Sequence, residues 1–167
     1  MKKRIEAEDS IAMYCLGNYY RVEGGLAQNY TKALDLWHRA GKLGNAIAYN
    51  NIGVAYYNGQ GVEVDYKKAT YYYELAAIRG NAMARSNLGI KEQQAGNIYR
   101  AIKHFLIAVG GGSSKSLKKI QELYSNGKAK KEDYTKALQS YQTYLSEIKS
   151  KQRDEAAAYD NEVYRYY

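Results

Sequence analysis

Apolar residues recur along this chain with a period of 36, and within each period they fall at helical spacings. Ala12, Ala48 and Ala84 stand 36 apart, as do Leu16, Ile52 and Leu88, and Gly17, Gly53 and Gly89. The same step joins Ala33 to Ala69, Trp37 to Tyr73, Ala40 to Ala76 and Gly44 to Gly80. A third copy is shorter, so Ala101, Phe105, Ala108 and Gly112 lie 32 after their counterparts. A fourth returns 68 after the second, with Asp133, Tyr134, Lys136-Ala137 and Tyr141.

Each copy predicts two helices. The first carries Ala48, Ile52-Gly53 and Tyr56, and the second carries Ala69, Tyr73 and Ala76 at i, i+4 and i+7. Between them, Asn58-Gly59-Gln60-Gly61-Val62-Glu63-Val64-Asp65 offers glycines for positive φ and Asp65 as a cap. Gly44-Asn45, Gly80-Asn81 and Gly110-Gly111-Gly112 read as stops. A helix hairpin cannot bury its apolar face alone, so stacking must build the core. The expected fold is therefore all-α: a right-handed α-solenoid of about four helix-turn-helix repeats, at 9–45, 46–81, 82–113 and 114–149. One period before Gly44-Asn45 lies Glu8-Asp9, so residues 1–8 read as the remnant of a preceding helix or linker, and the chain as opening mid-repeat. The last helix, from about Lys131, is expected to run on, because Ile148 stands where the stop glycine belongs. Residues 150–167 then form a polar C-terminal capping helix and tail.

These positions resemble the Sel-one-like repeat family, cousins of the tetratricopeptide repeat. Copy two carries Ala48, Ile52-Gly53, Tyr56, Gly59, Gly61-Val62, Asp65, Lys68-Ala69, Tyr73, Ala76-Ala77 and Gly80. Copy one carries Ala12, Leu16-Gly17, Tyr20, Gly24, Lys32-Ala33, Trp37, Ala40 and Gly44, but has Gly25-Leu26 in its loop and Asn29 where Asp is usual. Copy three loses most of the loop, and copy four has Gln121 in place of the packing glycine. The resemblance spans roughly residues 8 to 148. It implies a non-catalytic protein–protein interaction scaffold that binds a protein or extended peptide on the concave face of the first helices. In some relatives such a block follows a RING zinc finger. An alternative implied role is therefore the substrate-receptor part of a RING-type ubiquitin ligase.

With the repeated positions assigned to the core, the residues two before, two after and five after each Leu or Ile are left to face the concave side. In copy one these are Tyr14, Asn18 and Arg21; in copy two, Asn50, Val54 and Tyr57; in copy three, Ser86, Ile90 and Gln93. Copy four adds Lys118, which with Arg21 gives a positive rim. Asn and Gln can bond both N–H and C=O of an extended peptide, and Tyr supplies rigid area at low entropy cost.

Composition narrows the chemistry. The chain has 167 residues, 25% of them charged and 46% hydrophobic, which suits one soluble domain in the cytoplasm or nucleus. The basic start, Met1-Lys2-Lys3-Arg4, has no apolar stretch after it, and no run is long enough to span a bilayer. A single cysteine, Cys15, and two histidines, His38 and His104, leave no intrachain disulfide and no thiolate zinc finger, so no metal or cofactor is expected. Gly110-Gly111-Gly112-Ser113-Ser114-Lys115-Ser116 lacks the Gly directly before Lys-Ser that a phosphate loop needs. Tyrosine is 20 against one Phe and one Trp, a composition for many half-buried sites. The charge of +8 sits mostly between Lys115 and Arg153, where nine Lys and one Arg meet four acids, a net of +6. That stretch gives a second alternative, binding of nucleic acid or an acidic partner through the basic half.

Overall fold

The computed structural model describes residues 9–21 and 29–163, with side chains described for all of these except 153 and 156–163. The expected helix remnant at 1–8, the loop with Gly24 and Gly25-Leu26, and the last four residues lie outside the described residues. The described residues form eight helices and no strand: α1 (Ser10–Arg21), α2 (Tyr30–Lys42), α3 (Ala46–Asn58), α4 (Tyr66–Ile78), α5 (Ala82–Gln94), α6 (Ile98–Gly110), α7 (Ser114–Ser125) and α8 (Lys131–Val163). Sequential helices pack as hairpins, α1 on α2, α3 on α4, α5 on α6 and α7 on α8. Each hairpin stacks on the next through α2–α3 and α4–α5, while α6 meets both α7 and α8. The result is an α-solenoid.

Short polar side chains set the helix starts. Asn29, Asn45, Asp65, Asn81 and Ser113 each accept a hydrogen bond from the backbone N–H three residues on, and Asp9 does so for α1. Each satisfies one of the donors that a helix N-terminus leaves unpaired. Asn97 makes no such bond; its Nδ2 donates to Glu92 Oε2 at 2.8 Å instead. No glycine follows α8's fourth turn, and the helix runs on through Ile148 to Val163.

Packing inside each hairpin follows one rule. A Cβ placed on Gly53 would lie 2.6 Å from the Tyr73 ring and 3.1 Å from the Ala69 carbonyl. Gly17 stands in the same way under Trp37, and Gly89 under Phe105. The glycine of the first helix is thus the socket for the aromatic of the second. The buried core falls into two clusters. Met13, Trp37, Ile52, Tyr73 and Leu88 belong to one, spanning α1 to α5. Ile102, Phe105, Val109, Ile120 and Leu123 belong to the other, spanning α6 to α8.

Candidate partner-binding cleft

The helix-one faces do not present all the residues that the offsets assign to them. Asn50 and Ser86 are buried, 5% and 3% exposed, and this corrects their expected place on an open face. The Asn50 Oδ1 accepts a hydrogen bond from Asn87 Nδ2 at 3.1 Å, tying α3 to α5. One junction earlier, Asn51 Nδ2 donates to Asn18 Oδ1 at 3.2 Å, tying α1 to α3. These amide pairs are rungs between neighbouring repeats. At the third junction Ser86, one period after Asn50, has a buried Oγ with no hydrogen-bond partner among the described residues. Lys119, the counterpart of Asn87, turns to Glu122 at 2.7 Å.

Three of the expected residues do come together. Val54 and Tyr57 of α3 and Ile90 of α5 line a cleft of about 520 Å³. Helix α4 contributes Tyr66, Thr70 and Tyr73, and α7 contributes Lys115. The α5 wall is Asn87, Ile90, Lys91 and Gln94, at i, i+3, i+4 and i+7. Gln93 is half-buried outside this lining, and its neighbour Gln94 takes the place expected for it. Tyr14 is half-buried against the first core cluster. Arg21 and Lys118 are exposed, and neither lines the cleft. The offsets missed Tyr66, Lys91, Gln94 and Lys115; the stripe at 87, 90, 91 and 94 was the available signal on α5.

Loop length explains the opening. The α3–α4 connection runs over residues 59–65, and Gly61 there lies directly against Tyr30, the first residue of α2. Tyr30 is half-buried. Tyr66 holds the same position one period later, but the next connection, α5–α6, is only residues 95–97. Nothing equivalent to Gly61 reaches back, and Tyr66 is 62% exposed. Its ring meets Tyr57 edge-on at 5.3 Å. Deeper in, burial and then the neighbouring Tyr57 raise the Tyr73 hydroxyl pKa to about 12, so it stays a neutral phenol.

On the second-helix side lies a groove of about 290 Å³ between α4 and α6, over α5, lined in part by Glu74, Arg85, Glu92 and His104. One repeat earlier the corresponding residues are His38, Tyr49, Tyr56 and Tyr72. There Tyr72 stacks on Tyr56 with centroids 5.7 Å apart and 2° between planes, and meets His38 edge-on at 5.3 Å. An aromatic seam is thus followed by a charged one. Burial first, then the Arg85 charge, lowers the His104 pKa, against the opposing pull of Glu92 and Glu74. His38 is lowered by burial and then Lys42, with Asp35 opposing. Cys15 is half-buried, and no group of three or more His, Cys, Asp or Glu is placed to hold a metal ion among the described residues. No described helix is long and apolar enough to cross a membrane.

The chain belongs to the Sel1 repeat family, whose repeat matches residues 10–45, 46–81 and 122–142. Sel1 repeats are in general a non-catalytic scaffold for protein interaction. Among solved structures it is similar to a Sel1 repeat protein from Oxalobacter formigenes, with 24% identity over 86% of this chain and 62% of that one, at a TM-score of 0.74. It is also similar to c5321, a protective antigen of uropathogenic Escherichia coli with the same repeat fold, with 27% identity over 87% of this chain and 32% of that one, at 0.72. An immunity protein of Pseudomonas aeruginosa, Pa5087, superposes at 0.51 with 18% identity over 85% of this chain and 71% of that one. The chain therefore spans less than two thirds of the length of the first two. No curated protein matches it in sequence.

Proposed function

We propose that this chain is a non-catalytic scaffold that holds an extended segment of another protein in the cleft between α3 and α5. The observation that carries the reading is the cleft itself: about 520 Å³ with exposed Tyr57 and Tyr66 beside Val54 and Ile90. Rigid aromatic area next to side-chain amides suits a peptide, whose own N–H and C=O groups need partners as it leaves water. The family's general character supports the same reading. The affinity belongs to Tyr57, Val54 and Ile90 at the centre, while Arg21 and Lys118, at the rim of the first-helix surface, steer approach. Asn50 and Ser86 act through the scaffold and not by contact, since both are buried.

The test is retention of a partner isolated with the intact chain. Tyr57→Ala and Ile90→Ala are each expected to weaken it about tenfold or more, as central interface truncations do. His38→Ala and Lys68→Ala on the second helices should leave it unchanged. The opposite pattern would move the interface to the outer helices.

A further inference from the structure

The two sides of the cleft differ in chemistry. Tyr57 and Tyr66 stand on the α3–α4 side, and Lys91 and Lys115 on the α5–α7 side, with Lys91 also bordering the second-helix groove that holds Glu74 and Glu92. Among the described residues no acidic side chain lines the cleft. Both lysines are exposed, and neither forms an ion pair among the described residues. Three other lysines do lie beside an acid: Lys68 near Asp65, Lys119 near Glu122 and Lys151 near Glu155. Lys115 opens the stretch of net +6 that runs to Arg153, and the next lysine in it, Lys118, is also exposed.

We infer that the occupant, on the reading of the cleft as a partner site, is an acidic internal segment of a protein that begins with a large apolar side chain. The apolar group packs on Tyr57, Tyr66 and Ile90. The first carboxylates meet Lys91 and Lys115, and later ones follow the basic surface along α7. A carboxylate arriving there gains two cations without breaking an existing pair. Lysine ammonium groups act as point charges on flexible stems, so they accept a run of acids without demanding one geometry. A lone chain-terminal carboxylate would leave the field beyond Lys115 unused, which is why the segment is internal.

The probe is a fluorescein-labelled peptide with one Trp followed by a run of Glu, compared by fluorescence polarisation with its Gln counterpart. The Glu peptide is expected to bind about tenfold tighter at low ionic strength, with the advantage shrinking as salt rises. The double change Lys91→Gln with Lys115→Gln should weaken the Glu peptide about fivefold and leave the Gln peptide unchanged. Lys67→Gln with Lys103→Gln removes the same charge from α4 and α6 and should change neither. Equal binding of the two peptides, or equal loss in the two double variants, overturns the inference. Should the Gln peptide bind as well and respond to Tyr57→Ala, the cleft remains the site and only the charge argument falls. Should no peptide respond to Tyr57→Ala, the cleft reading falls with it. A random DNA duplex that displaces the Glu peptide and binds tighter through Lys91 and Lys115 would overturn the protein segment in favour of nucleic acid.

Discussion

Asn50 shows how one buried amide can be read wrongly from outside and correctly from within. Its Oδ1 is spent on Asn87, so its value is structural. Removing Asn87 leaves that oxygen buried and unpaired. Asn87→Ala is expected to cost ~1–3 kcal/mol in chemical unfolding, whereas a paired change of Asn50 and Asn87 to Leu should cost much less, since no polar group is then stranded. If the single and double variants melt alike, the rung carries no stability. Gly53 makes the complementary argument. A leucine there must displace the Tyr73 ring against the Ala69 carbonyl. Gly53→Leu should destabilise by ~2–4 kcal/mol through overpacking, and a variant melting within a degree or two of the parent would remove the socket role.

At the scale of helices and turns, the hairpins were legible because several signals agreed at each one. Apolar spacing, the cap Asp65 and the stop Gly80-Asn81 all marked the same hairpin, together with Ala48, Ile52-Gly53 and the loop glycines Gly59 and Gly61, while Asn45, read as part of a stop, also caps the next helix. The cleft was only partly legible. Val54, Tyr57 and Ile90 followed from counting along the first helices. The remaining walls did not, because the offsets treated every repeat as the same object. Tyr66, identical in type and register to Tyr30, differs in what the following loop does. The amide rungs were hidden too, since an Asn at a helix surface position looks the same whether it faces water or a neighbour. The turn hypothesis can be tested without touching any wall residue. Replacing residues 95–97 by the seven residues of 59–65 should bury Tyr66, close the cleft and abolish partner retention at unchanged helical content. Undiminished retention by a folded transplant would mean that the cleft is not the site.

For the molecule as a whole, the charged seam between α4 and α6 coincides with the gap between the two core clusters. Both histidines lie at equivalent seams and both have lowered pKa values in the folded chain. A histidine held neutral by burial takes up its proton more readily once unfolded. Stability should therefore be full above the unfolded value of 6.5 and decline as the pH falls through it toward the folded values. Thermal melts between pH 7.5 and pH 5.5 should show that decline, and His104→Gln should flatten it in part. A melting temperature independent of pH over this window would contradict the assignment. The window lies above Asp65, whose pKa is lowered chiefly by the Lys68 backbone N–H.

The unequal connections also say something about ancestry and engineering. Residues 46–81 form a unit whose two edges match each other. Asn51 occupies the register of Asn87, and Tyr30 that of Tyr66, so a second copy spliced after residue 81 finds its contacts already made. In that longer chain the original Tyr66 would be covered by the inserted loop, and the inserted Tyr66 would become the open one. The cleft would move one unit along without a change in any of its α3 or α4 residues. It belongs to the border between a long-looped unit and a short-looped one, and each duplication upstream carries that border, and the binding address with it, further from the start of the chain.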